Sequence, residues 1–248
     1  MEIARRKFQG VLNILSFNRH FYIIGLIVLA VLVGSQFLLK WPDSLFLSVL
    51  LLFLYGFIMP LIVSMYVYDF SKYYTLSWLD SIIKFKTKDI VNINAGFDET
   101  SFIIKHKFPN ATLKVFDFYN VKEHTEAAIV RARKVTMEYP NTQEIKTSYI
   151  PLENASVDVV FLLSAAHEIR KESEKVQFLK ECYRICKPEG KIIMVEHLRD
   201  FPNFIAFSIG FTHFFSRKVW ERVFKKAGFN SVSEVKFTPF MSVFSCNP

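Results

Sequence analysis

Hydrophobic positions fall into two regimes along this chain. From Phe21 to Leu39 the run FYIIGLIVLAVLVGSQFLL contains no charged residue, and its length is close to the ~20 residues a helix needs to cross a bilayer core. After Lys40-Trp41-Pro42-Asp43, a second uncharged run extends from Ser44 to Tyr68, with Pro60 as the expected kink. Two helices apolar on every side would need covering partners on every face in a soluble core. The expectation is therefore a two-helix transmembrane hairpin over residues 21–68. Beyond Asp89 the apolar runs shorten to strand length. VDVVFLL (Val157 to Leu163) and KIIMVEH (Lys191 to His197) read as buried parallel strands. Between them Phe178, Leu179, Cys182, Tyr183 and Ile185 recur at helical spacing, and Lys187-Pro188-Glu189-Gly190 predicts the stop and the turn.

The same reading supplies the remaining elements. A first strand starts at Asp89, a second spans Ala111 to Phe116, a helix Val121 to Met137, and a third strand Glu144 to Tyr149. A helix from Ser216 to Phe229 is expected to be N-capped by Ser216 and stopped by Gly228. Ser231 to Lys236 and Met241 to Cys246 then form a closing antiparallel hairpin. Ahead of the hairpin, residues 1–20 combine Arg5, Arg6, Lys7 and Arg19 with an apolar stripe, the pattern of a basic amphipathic interfacial segment. Behind it, residues 69–88 form a juxtamembrane aromatic helix in which Tyr73, Tyr74 and Trp78 sit at the expected water interface.

Composition sharpens this picture. Of 248 residues, 51% are hydrophobic and 27 are Phe, more than an α/β core of this size uses. The formal charge of +8 is scattered and not arranged as a basic stripe interleaved with aromatics. The partner it fits is the surface of a lipid bilayer, and no nucleic acid. Arg5, Arg6, Lys7 and Arg19 precede the first span and Lys72, Lys84, Lys86 and Lys88 follow the second, so both termini and the domain after the hairpin are expected on the cytoplasmic side. Cys182, Cys186 and Cys246 lack the spacing of metal ligands and read as reduced core thiols.

The stretch PLENASVDVVFLLSAAHEI…FLKECYRICKPEGKIIMVEH resembles the second half of class I S-adenosylmethionine-dependent methyltransferases of the small-molecule and quinone group. Ile150-Pro151-Leu152, Val157-Asp158, His167-Glu168 and Lys187-Pro188-Glu189-Gly190 stand where that family has its ordered landmarks. The resemblance covers residues 89–248 and implies a Rossmann-like, seven-stranded α/β domain that binds S-adenosylmethionine. It implies cofactor contacts from the loop Asn94, Ala95, Gly96 and Phe97, from Asp117 and Phe118, from the backbone of Thr147 and Ser148, and from Ser164. Asp117 also stands about 20 residues past the loop, where a dinucleotide-type fold needs a carboxylate for the ribose hydroxyls; helix capping near Asn120 is the alternative role. The family's loop is glycine-rich after an acidic residue, whereas here Asn92, Asn94 and Asp98 replace the acidic residue and two glycines. The segment NAGFDET is similar to the loop of the leucine-carboxyl branch, where Asp is normal. Lys146 stands where the family has an acidic adenine contact.

Methyl transfer from a sulfonium needs proximity and, for a protonated acceptor, a base. His167, just past the fourth strand, and His213, in the Phe-rich stretch from Phe201 to Phe215, are the candidate bases, with Glu168, Glu196 and His197 behind them. No metal site is expected. The Phe-rich stretch implies a lipophilic small-molecule acceptor of lipid, quinone or phenolic type. Two alternatives stay open at this point: a membrane scaffold whose methyltransferase-like domain has lost catalysis, and a membrane-tethered protein methyltransferase.

Overall fold

The computed structural model describes residues 5–122 and 127–248. Three helices lead the chain: α1 (Gln9–Phe17), α2 (Arg19–Leu39) and α3 (Asp43–Met65). α2 and α3 pair as a hairpin in which Tyr22 lies edge-on to Phe57. Both are long and apolar enough to cross a membrane, with mean hydropathy 2.4 for Arg19–Leu39 and 2.6 for Asp43–Phe70. No residue of α2 is buried, whereas the last turns of α3 bury Val63 and Ser64. α1 is tied to the far end of α3, because the Asp69 carboxylate accepts from Gly10 N–H at 2.7 Å and Val11 N–H at 2.9 Å and so closes the open donors of its first turn. Gly10 permits that approach, since a Cβ there would lie 2.4 Å from Tyr68 Cβ.

Seven strands follow, β1 (Asp89–Asn94), β2 (Thr112–Asp117), β3 (Gln143–Glu144), β4 (Val157–Leu163), β5 (Cys186–His197), β6 (Val232–Thr238) and β7 (Met241–Cys246), in the sheet order β3-β2-β1-β4-β5-β7-β6. β3, β2, β1, β4 and β5 run parallel, and β7 is antiparallel to both of its neighbours. This is the expected Rossmann-like α/β sheet. The strand order reverses between β1 and β4, and ligands of such sheets bind at that switch, beyond the carboxyl ends of the strands. Helices α4 (Ser101–Lys107), α5 (Ala127–Arg133), α6 (Glu172–Ile185), α7 (Phe201–Phe207) and α8 (Arg217–Ala227) complete the chain.

Period-two alternation divides the core. Val160 and Leu162 of β4 join Phe178, Cys182, Trp220 and Phe224 on one face. Val159 and Phe161 join Leu76, Leu79 and Ile104 on the other, where Val63 and Val67 from the end of the hairpin also pack. The hairpin is thus fused to the domain core. All three cysteines are free and buried, and burial pushes the Cys186 thiol up to about 12.

Five sequence expectations need correction. The juxtamembrane helix over 69–88 is broken into a π-helical turn at Tyr66–Phe70, an extended Ser71 and a 3-10 turn at Ser77–Ser81. The Ser71 hydroxyl donates to Val67 O and accepts from Tyr73 N–H, competing with the helical ladder. The helix expected over 121–137 is confined to α5; residues 123–126 lie outside the described residues, and after Arg133 the chain tightens into three-residue turns, Lys134 N–H to Arg131 O and Val135 N–H to Ala132 O. The third strand expected from Glu144 to Tyr149 is only Gln143–Glu144, because Tyr149 N–H folds back onto Lys146 O. Lys187-Pro188-Glu189-Gly190 is no separate turn but a bulge within β5: the register jumps from Val157↔Cys186 to Val159↔Lys191. Lys187 turns back to Asp158 at 2.8 Å and so pins the bulge. Ser216 caps α8 through its backbone carbonyl and makes no side-chain cap bond.

Candidate functional site

Two polar corners lie beyond the carboxyl ends of the parallel strands. The first is built on β1 and β2. Gly96 sits at φ 90°, and a Cβ there would come within 2.7 Å of the Tyr119 ring, so backbone and space both demand glycine. Asp117, ending β2, accepts from Gly96 N–H and Tyr119 N–H, both at 2.8 Å, and its second oxygen receives the Arg133 guanidinium at 2.5 Å. Arg133 also lies over the Tyr119 ring at 4.3 Å. The carboxylate therefore braces the loops after β1 and β2 against each other. Among the described residues it makes no cap to the segment near Asn120, whose own side chain accepts from Lys122 N–H.

The residues that replace the family's acidic and glycine positions are organised locally. Asp98 Oδ1 accepts from Thr100 N–H and Ser101 N–H at 2.9 Å and so opens α4. Buried Asn92 donates to the hydroxyls of Thr100 and Ser101. Three buried polar atoms at this loop, Asn92 Oδ1, Asn94 Nδ2 and Asp98 Oδ2, have no hydrogen-bond partner among the described residues. Such atoms are costly unless a ligand or water completes them. A cofactor with an amino-acid head and a ribose supplies both donors and acceptors, so the residues present fit S-adenosylmethionine.

Of the other expected contacts, Ala95 is buried beside Asn94. Phe97 meets Phe17 of α1 edge-on, and Phe118 packs edge-on against Phe178. Ser164, at φ 55°, closes β4 and shares a hydrogen bond of 3.2 Å with the Tyr73 hydroxyl. Thr147 donates to Glu174 at 2.7 Å, which places it and Ser148 on the turn beyond β3.

Sequence reasoning did not foresee what closes this corner from the amino-terminal side. The Glu99 carboxylate gathers Tyr74 Oη at 2.5 Å, Arg5 at 3.0 Å, Gln9 at 3.0 Å and Asn13 at 2.9 Å. The Arg5 guanidinium stacks 3.4 Å from the Tyr74 ring centroid. Burial, then the nearby Glu99 charge, push the Tyr74 hydroxyl well above its ordinary range. The basic charges were visible in sequence; their acidic partner, some 90 residues on, was not.

The second corner is built on β4 and β5. His167 and Glu168 form the 3-10 turn Ala166–Glu168 after β4, Glu196 lies near the end of β5, and His213 closes the 3-10 turn Ser208–His213 after α7. His167 Nδ1 is 2.6 Å from Glu196 Oε2, and its Nε2 is 3.2 Å from Glu168 Oε1. Burial lowers the imidazole pKa, but the Glu196 and Glu168 carboxylates outweigh it and raise it to about 10. His167 is therefore an imidazolium at neutral pH, already engaged on both nitrogens. It is not a free base in this arrangement. His213 stands edge-on to His167 at 5.3 Å, and burial followed by the His167 charge lowers its pKa to about 4, so it is neutral. His197 faces the other side of β5: Tyr68 Oη lies 2.9 Å from Nε2 and Phe240 O 2.9 Å from Nδ1, and burial holds it neutral with a pKa of about 4. It joins the end of the hairpin to the sheet.

Comparison with known proteins agrees with the sheet. Residues 114–194 match the family model described as a methyltransferase domain. Among solved structures, a protein from Pyrococcus horikoshii aligns at 16% identity over 70% of this chain and 88% of its own, with TM-score 0.51. A putative O-methyltransferase from Nostoc punctiforme aligns at 17% identity over 78% and 60%, with TM-score 0.53. Human N-acetylserotonin methyltransferase in complex with SAM aligns at 14% identity over 77% and 55%, with TM-score 0.51. No curated protein matches the chain. Likeness at these identities carries the fold alone, and the residues matched to the family model include Asp117, Ser164, His167 and Glu168. The chain thus carries a methyltransferase-domain match over residues 114–194 on a methyltransferase fold, which supports S-adenosylmethionine as its methyl donor.

Proposed function

We propose that this enzyme is held in a membrane by its α2–α3 hairpin and transfers the methyl group to a lipophilic small molecule that enters from the bilayer. The observation that carries the reading is the contact between α3 and the Phe-rich segment. Tyr55, near the middle of α3, donates to Ile205 O of α7 at 2.5 Å. Tyr55 lies about ten residues before the end of α3, or ~15 Å along a helix. With α3 spanning a bilayer, α7 reaches well below the headgroups. Outward side chains there fit that depth, with Phe201 of α7 73% and Ile209 of the turn after it 84% exposed to the surroundings of the chain. Exposure supports the hairpin as well: none of the apolar window of α2 is buried, which a core helix does not tolerate.

In this reading the first corner holds the cofactor through Asn94, Gly96, Asp98 and Asp117, and the sulfonium supplies an already activated methyl group. The residues of the second corner and of α7 bring the acceptor into line and keep water away from it. His213, neutral and beside the Phe-rich segment, is the side chain able to take a proton from a hydroxyl acceptor, while the His167–Glu196 pair fixes the turn.

Carbonate extraction of membranes should leave the chain in the pellet. Membranes containing it, supplied with S-adenosylmethionine labelled in the methyl group, should yield label in the organic-solvent extract. Label confined to the aqueous or protein fraction overturns the lipophilic acceptor. Deleting residues 1–67 would be a poor test, because Val63 and Val67 belong to the domain core.

A further inference from the structure

We propose that His167, Glu168 and His213 form a binding site for one divalent transition-metal ion, zinc foremost, that ties the Phe-rich segment to the edge of the sheet. One nitrogen from each imidazole and one carboxylate oxygen lie within 4.8 Å of one another. Glu168 Oε1 is 3.2 Å from His167 Nε2 and 4.0 Å from His213 Nε2. Ligands bound to zinc at 2.0–2.1 Å in a tetrahedron stand about 3.3 Å apart, so the His167–Glu168 edge is already at its length, the Glu168–His213 edge needs a contraction of less than an ångström, and the His167–His213 edge, within 4.8 Å, needs at most about 1.5 Å.

The donor set has the chemistry of such a site. Two imidazoles and a carboxylate suit a borderline divalent ion and leave a position open, unlike the all-oxygen shells of calcium or magnesium. The surroundings match too. His167 turns its other nitrogen, Nδ1, to Glu196, a carboxylate 1% exposed and 2.6 Å away. A metal-bound imidazole is oriented by this kind of outer hydrogen bond. The Arg170 guanidinium donates to the carbonyls of both His167 and His213 and fixes the backbone of the two ligands. Side-chain exposures of 16%, 19% and 31% for His167, Glu168 and His213 leave an ion a path from solvent. On binding, the proton on His167 Nε2 leaves to solvent, and the hydrogen bond to Glu168 is replaced by two bonds to the metal.

His167 and Glu168 belong to the turn after β4, while His213 lies in the segment that continues α7. The ion would lock that segment and occupy the His213 nitrogen, so that His213 serves as a base only in the metal-free state; loss of the ion would free both. The untagged full chain in detergent, stripped with a chelator and re-equilibrated with Zn²⁺, should retain one ion per chain after gel filtration. Competition with a chromogenic chelator should show affinity falling about 10–100-fold in Glu196→Gln, the change typical of an outer partner, and further in Glu168→Gln and His213→Ala. Co²⁺ in place of Zn²⁺ should give the visible d–d bands of a tetrahedral site, absent in His213→Ala. Less than one ion per chain overturns the proposal. So does a His213→Ala or Glu168→Gln protein, folded by circular dichroism, that binds Zn²⁺ like the parent.

Discussion

The two corners of the sheet are polar for different reasons. In the cofactor corner Gly96, Asp98, Asp117 and Tyr119 lie within two loops, and the Asp117 carboxylate is shared among backbone donors and the half-exposed Arg133. In the second corner His167, Glu196 and His213 come from three separate segments, and the charge of His167 is held by a carboxylate almost wholly out of water. Local geometry makes the first corner; a buried ion pair across two strands makes the second. The lesson is that the first can be perturbed one hydrogen bond at a time, whereas the second stands or falls as a unit.

The largest expected effect tests that contrast. Glu196→Ala leaves the His167 charge buried without its main partner and should lower stability by about 3–5 kcal/mol, read as thermal or denaturant unfolding in detergent. A loss no larger than that of an exposed pair would put the two corners on the same footing.

Asp117→Ala should weaken S-adenosylmethionine binding by about 2–4 kcal/mol, through lost charge-assisted hydrogen bonds to the ribose and a loosened Gly96 loop, while the second corner keeps its fold. Calorimetric titration measures it. Unchanged affinity would assign Asp117 to bracing alone.

Arg133→Ala is the finer test of the same carboxylate. The pair is partly exposed, with 34% of the Arg133 side chain accessible, so breaking it removes at most about 1 kcal/mol of competition. Cofactor affinity should rise by up to about fivefold. A fall would make Arg133 a cofactor contact.

The smallest effect is a pH slope. His197 has a folded pKa of about 4 against an ordinary value of 6.5, because burial disfavours its charge. The folded state therefore binds its proton less readily than the unfolded state. The stability this contributes is fully present above pH 6.5 and is lost as pH falls from 6.5 toward 4. The difference in Tm between the parent and His197→Gln should narrow over that window. A constant difference would mean that His197 titrates freely.

Much of the architecture was legible because it is written in periodicity. VDVVFLL reads as a strand and forms β4 over those same residues, since a fully buried parallel strand has no polar face to confuse the pattern. Gly96 and the carboxylate that ends β2 were legible for a related reason: a positive φ and a fixed loop-to-strand spacing leave local marks. The broken helix after Phe70 and the bulge at Lys187–Gly190 were not. In both, a side chain, Ser71 or Lys187, finds a partner that redirects the backbone, and the partner is known only once the chain has folded.

By itself, then, the sequence determined which stretches are apolar, how long they are and where the strand-to-loop boundaries of the cofactor corner lie, because these depend on contacts among near neighbours. Tertiary structure alone decided that Arg5 meets Glu99, that Tyr55 holds the Phe-rich segment, and that His213 joins His167 and Glu168. Those pairings join residues 45 to 150 positions apart. The sheet order and the docking of α3 bring them within bonding distance, and no period in the sequence encodes that.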